Sequence, residues 1–374
     1  MKKSIRFALL AGAVFASLAF ASSAFASFAP KLVVSSATPA TAGGTVRVGV
    51  VVSNNDDPTA SVQIYVPAAY KLGAPAAGTK LGDLTATASI ADLGGAVVPL
   101  SGELQAIAPT ATTTAAAAQC GVAPAQTWNL HLTLAGQVLD VPMFVVTASA
   151  PEVAAGYQAK LVVCLPPPDI PAGTPGRATN GAKLLSATFT SSAVTEPTTS
   201  GDYRWTSLWT PYNAGRGTVN RAGTVEVQSI RHLPLLVKPT VTKKKVTKFK
   251  RVNGKRRTIV TTAVRVSTTV RENGAAPSSL TVTTTAGGKR IGADSGAFVL
   301  AAGKSAKVTV KAVIDSDSGF VPSAASGSTP ADLFFHDLGT AGCVKTAIFG
   351  GLPCNDATVG GETVTVSVTV KGYR

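Results

Sequence analysis

Apolar and polar residues alternate at every second position through much of this chain, which is the period of strands with one buried face. Val46, Val48, Val50 and Val52 alternate with Arg47, Gly49, Val51 and Ser53, and the run stops at the turn cluster Asn54-Asn55-Asp56-Asp57-Pro58. Val62, Ile64 and Val66 repeat the period. Trp128, Leu130, Leu132 and Leu134 then point one way while Asn129, His131 and Thr133 point the other. Further runs lie near 139–148, 158–165, 183–190, 223–229, 280–284, 298–300, 308–314 and 362–370. Short strands with turn signals about every ten residues predict an all-β chain of sandwich domains.

Proline and glycine clusters punctuate the pattern. The stretches 166–168 and 171–176, with the Ala/Thr-rich run 108–118, read as long surface loops. Two prolines in 232–239 disfavour helix before them, and the domain boundary is placed there. Asn253-Gly254 between two polar strand runs is a strong hairpin signal. The predicted organisation is a leader over 1–26, an N-terminal domain over 27–235 with long loops, and a C-terminal domain over 236–374. Length also allows a third domain within the first half.

The second half carries Val270-Arg271-Glu272-Asn273-Gly274, then Leu280-Thr281-Val282, then Leu300-Ala301-Ala302-Gly303-Lys304-Ser305-Ala306-Lys307-Val308-Thr309-Val310. Over roughly 264–314 it resembles bacterial immunoglobulin-like modules of the cell-adhesion-related type found in exported proteins. The resemblance implies immunoglobulin-like β-sandwich domains and no particular activity. A long insertion, 319–361, departs from a compact module.

Composition adds a compartment. Lys2, Lys3 and Arg6 precede the apolar run 7–20, and Ala24-Phe25-Ala26 before Ser27 fits a cleavage site, so the expected product is exported. No second apolar run is long enough to span a bilayer as a helix, which predicts no transmembrane anchor. Cys120, Cys164, Cys343 and Cys354 are an even number, as disulfides in an exported chain require. Three pairings are open, and sequence proximity favours Cys120 with Cys164 and Cys343 with Cys354. The absence of a CxxC spacing argues against zinc.

The formal charge of +15 falls to +12 without Lys2, Lys3 and Arg6. Much of it is local: Lys243, Lys244, Lys245, Lys248, Lys250, Arg251, Lys255, Arg256 and Arg257 surround Asn253-Gly254 with no acid among them. A two-residue turn there sets Arg251 opposite Arg256 and Lys250 opposite Arg257, and opposed like charges destabilise a ladder unless something relieves them. A polyanion would do so, as would water and salt; with one interleaved aromatic, Phe249, nucleic acid is the least favoured polyanion. Only 6% of residues are aromatic, so the cluster Tyr203, Trp205 and Trp209 also stands out. On a strand these three share a face, which either stacks on sugar rings or wedges into the core.

Asp332, His336 and Asp337 have a metal-like spacing on a helix, but no HExxH motif surrounds them, and no metal or cofactor is expected. Gly303-Lys304-Ser305 lacks the earlier glycine of a phosphate loop, and no GxSxG elbow is present. The leading expectation is a secreted, non-enzymatic envelope or surface protein that binds a polysaccharide, an anionic polymer or a surface protein. The rivals are a secreted polysaccharide hydrolase with unplaced carboxylates and a structural surface subunit.

Overall fold

The computed structural model describes residues 28–37, 44–134, 137–233, 235–273, 275–315 and 335–374. The leader 1–26 and Asp332 lie outside the described residues. In chain order the first elements are β1 (Lys31–Ser36), β2 (Thr45–Val51), β3 (Thr59–Pro67), β4 (Lys71–Leu72), β5 (Lys80–Ile90), β6 (Ala96–Ile107) and α1 (Ala111–Gln119). Next come β7 (Gln126–Leu134), β8 (Gln137–Thr147), α2 (Ala150–Ala154), β9 (Tyr157–Cys164), β10 (Ala182–Thr195), β11 (Gly201–Pro211) and β12 (Val225–Leu233). The remainder holds β13 (Leu235–Val252), β14 (Lys255–Glu272), β15 (Leu280–Ala286), β16 (Lys289–Gly292), β17 (Ser295–Ala301), β18 (Ser305–Ile314), β19 (Phe335–Asp337), β20 (Cys354–Gly360) and β21 (Glu362–Lys371).

The protein is all-β, but its sheets are not a pair of facing sandwich layers. One sheet has fourteen strands, ordered β1-β2-β10-β5-β6-β7-β8-β9-β3-β11-β12-β20-β19, with β4 pairing beside β10. Its path curls until β1 lies against β12 and β20, giving a nearly closed barrel. Side chains rather than a ladder join this seam. Ser229 Oγ accepts from the Val34 amide at 2.9 Å, and the Thr358 hydroxyl donates to the Leu32 carbonyl at 2.6 Å. Lys31 bridges Asp337 at 2.7 Å and Asp356 at 2.5 Å. Gly360 permits the closest approach, since a Cβ there would lie 1.7 Å from the Val34 carbonyl oxygen.

A second sheet of seven strands, β13-β14-β17-β16-β15-β18-β21, forms a half-barrel. Lys243 of β13 donates to the Lys371 carbonyl of β21 at 3.3 Å. The chain leaves the first sheet at Leu233 and enters the second at Leu235. It then crosses back. β19 and β20 fall within the C-terminal domain drawn from the sequence, yet they pair in the first sheet, with β20 parallel to β12. β21 returns to the second sheet beside β18.

One expected loop is a helix. The Ala/Thr-rich run 108–118 contains most of α1, because alanine is the strongest helix former and Thr110 caps it: its Oγ1 accepts from the Thr113 amide while Thr113 Oγ1 accepts from the Thr110 amide. The Cys120–Cys164 disulfide then ties the end of α1 to the end of β9. The main core fills the first sheet, with Trp128, Trp205 and Trp209 fully buried, and smaller valine-rich cores fill the second.

Candidate anionic-polymer interface

β13 and β14 pair over their whole length through the Asn253-Gly254 turn, whose two residues take positive φ of 51° and 73°. A type I′ turn requires that conformation at both positions, and Asn-Gly supplies it with little strain. β14 meets its other neighbour, β17, only from Thr261 onward. Residues 247–252 and 255–260 therefore pair only with each other. At about 3.3 Å per residue this ribbon projects roughly 20 Å beyond the sheet.

Its charge lies on both faces. Side chains directly opposite in an antiparallel pair share a face, so Lys243, Lys245, Arg251 and Arg256 lie on one and Lys244, Lys248, Lys250, Lys255 and Arg257 on the other. All nine are exposed. The register sets Arg251 opposite Arg256 and Lys250 opposite Arg257. Neither face can be buried against the body, and Phe249 remains 59% exposed with the Arg256 guanidinium stacked 3.8 Å from its ring centroid. That stacking occupies the one aromatic surface on the ribbon.

The sequence pattern missed a second basic group at the ribbon's root. β18 begins opposite the end of β21, with Ser305 paired to Lys371, and Ala301 of β17 pairs with Thr261 of the ribbon strand. The Gly303 amide bonds the Tyr373 carbonyl, the Tyr373 amide bonds Thr262 Oγ1, and Lys243 sits 5.4 Å from the Tyr373 ring centroid. The turn at 287–288 joins the same end through the Gly287 amide and the Lys307 carbonyl. Lys289, Arg290, Lys304, Lys307, Lys371 and Arg374 are thus exposed at the end from which the ribbon extends. The acids of the described second sheet and its turns, Glu272, Asp294, Asp315 and Glu362, sit away from that end: Asp294 beside Thr268, Asp315 beside Ser279, and Glu362 opposite Ile314. The sheet is polarised along its strands. Dispersed over turns 287–290 and 302–307 and the C-terminus, these cations form no run that a sequence window detects.

Burial overturns the aromatic-face candidate. Trp205 and Trp209 are 0% exposed within the main core, and Tyr203 is half-buried with its hydroxyl donating to the Thr199 carbonyl at 2.8 Å. Tyr70 packs edge-on against Trp205 at 4.9 Å and against Tyr203 at 5.9 Å. A nearly closed sheet has an inside, and the shared face of these residues is that inside.

Both disulfides, Cys120–Cys164 and Cys343–Cys354, are formed. His336 and Asp337 lie on strand β19, not on a helix, and Asp337 binds Lys31. No group of three or more His, Cys, Asp or Glu side chains converges on a metal-sized site among the described residues. His131 contacts Asp140, and His232 contacts Asp202, each at 2.7 Å. Burial acts to raise the Asp202 carboxyl, but bonds from His232 and Asn273 outweigh it and hold it below the ordinary aspartate value. No known family model matches this chain, and no curated protein or solved structure is significantly similar to it.

Proposed function

We propose that the protein is an exported, non-enzymatic envelope or surface protein that holds an anionic polymer on its basic ribbon. The observation that carries this reading is a two-stranded ribbon, charged positively on both faces and joined at its root by six further cations. Within the ribbon, neighbouring charges lie closer than a Debye length of about 8–10 Å, so their fields add and attract a polyanion before contact. A flexible acidic chain, such as a uronate or a polyol-phosphate polymer, can wrap both faces at once. Nucleic acid is less suited, because the ribbon has a single aromatic side chain and Arg256 already covers it.

Other features support export. The residues 1–26 have the three parts of a secretory leader, the two disulfides suit an oxidising compartment, and no helix among the described residues is long and apolar enough to cross a membrane. The stretch 264–314 that resembles immunoglobulin-like modules forms β14 to β18 of one half-barrel sheet and not two facing layers, so this reading does not rest on the resemblance. The hydrolase reading has lost its aromatic platform, since Trp205 and Trp209 are core residues.

Retention on immobilised polygalacturonate, compared with neutral dextran over a series of salt concentrations, tests the proposal. The expected result is retention on the acidic matrix alone, with affinity falling steeply and linearly in a log–log plot against salt. Equal retention on dextran, or no dependence on salt, would remove the ribbon from the binding account.

A further inference from the structure

A cavity of about 280 Å³ lies inside the first sheet, at the end bounded by the β2–β3 turn and the proline-rich segment after β9. It is walled by β5, β10, β7 and β8 and reaches the surface beside Leu139, Asp140, Pro166 and Thr179. Small side chains create it. Ala86 of β5 and Ala187 of β10 are direct cross-strand partners, so two alanines face the interior where larger residues would meet and close the gap. The inward positions Leu84, Ala86 and Ala88 extend the wall along about 13 Å of strand. Its walls are mostly apolar.

Such a space suits a hydrocarbon better than water. A water molecule needs two or more polar partners, and apolar cavities of about 150 Å³ stay dry and accept small hydrocarbons. Yet one polar group in the wall lacks a partner. Thr59 is 4% exposed, lines the cavity, and its hydroxyl makes no hydrogen bond. Buried hydroxyls are normally satisfied, but this oxygen lies behind the wall with almost no surface open to the cavity, so it does not mark a ligand atom. Lys183 lines the same cavity, its ammonium donating to the Asn54 carbonyl at 2.9 Å and to the Asp56 carbonyl. Those two bonds leave its third proton available to a head group.

We propose that this cavity binds the hydrocarbon chain of a single-chain acyl amphiphile, with the Lys183 ammonium meeting its oxygen-bearing head. The chain would meet mostly apolar walls, and the head would take the ammonium proton that the two carbonyls leave. Two sources share this chemistry, a free fatty acid and the acyl chain of a membrane lipid. The site is separate from the ribbon, and neither proposal depends on the other.

The test is titration calorimetry of dodecanoate into the mature protein, repeated with vesicles of zwitterionic phospholipid. A parallel set uses protein carrying Lys250→Gln, Arg251→Gln, Arg256→Gln and Arg257→Gln, which weakens carboxylate binding to the ribbon. The expected result is saturable one-to-one binding with a negative heat-capacity change, unaffected by those four substitutions. Saturation by dodecanoate alone assigns a free acid, and saturation by vesicles assigns a lipid chain. Ala187→Phe fills the void and should abolish binding while the protein keeps its β-sheet spectrum, and Ala187→Leu serves if the larger ring prevents folding. Lys183→Gln should weaken dodecanoate roughly tenfold while leaving the β-sheet spectrum of the unliganded protein unchanged. No saturable binding by either probe, or undiminished binding by a folded filled-cavity variant, would overturn the proposal.

Discussion

At the scale of single residues, the seam of the near-barrel depends on buried polar groups. Arg231 is fully buried, with Nη2 donating to Ser36 Oγ at 2.7 Å, Nη1 to the Gly360 carbonyl at 3.1 Å, and Nε 3.4 Å from the Glu196 carboxylate. It joins β1, β12 and β20 in one network. Arg231→Met should cost about 3–5 kcal/mol in denaturant unfolding, because it removes one member of a fully buried, hydrogen-bonded charge network. Gly360→Ala should cost about 3 kcal/mol by forcing β20 away from Val34, with the same measurement as readout. Trp205→Ala should likewise cost about 3–5 kcal/mol and leave polymer binding by the folded fraction unchanged, as a core residue requires. Glu152 gives a pH signature. Burial acts to raise its carboxyl, but bonds from Lys160 and Ser149 outweigh burial and leave it below 4.5. Its contribution to stability is full above that value and is lost as pH falls through the lower folded value, so the gap between wild type and Glu152→Gln should narrow on acidification.

Elements were legible where burial is one-sided and pairing is local. The valine alternation of β2, the Trp128 to Leu132 side of β7 and the Asn253-Gly254 hairpin all follow from residues near in sequence. β12 shows the limit. Its Glu226 and Gln228 alternate with Val225 and Val227 as though exposed, while Ser229 and Arg231 fall on the valine side, and all four are buried. Partners over a hundred residues later cover them: Gln228 exchanges bonds with both the amide and the carbonyl of Val344, and Thr346 donates to Glu226. No local pattern encodes that cover, nor the return of β20 alongside β12. The α1 helix was hidden differently, since its alanines and threonines lack an apolar stripe and only its cap distinguishes it from a loop. For the ribbon, independence from the body makes a prediction. Replacing residues 247–260 by an Asn-Gly turn between Val246 and Thr261 should leave the melting temperature within a few degrees, because no core side chain is removed.

For the whole molecule, the sequence located the basic hairpin but not the charge polarity of the sheet that carries it, which arises only when turns far apart in the chain are gathered at one end. It also set Trp205 and Trp209 on a common face without showing that this face is interior, because inside and outside are properties of a closed path. The molecule divides into a near-barrel with an apolar core and a half-barrel that projects positive charge. On the function proposed above, the projected charge is for binding and not for folding. The most direct test compares wild-type protein with the variant carrying Lys250→Gln, Arg251→Gln, Arg256→Gln and Arg257→Gln, measuring co-sedimentation with cell envelopes and melting temperature on the same samples. The account predicts that co-sedimentation at low salt falls at least about tenfold while stability is unchanged or rises by about 1 kcal/mol, since opposed like charges are relieved. Undiminished co-sedimentation, or a sharp loss of stability, would contradict it.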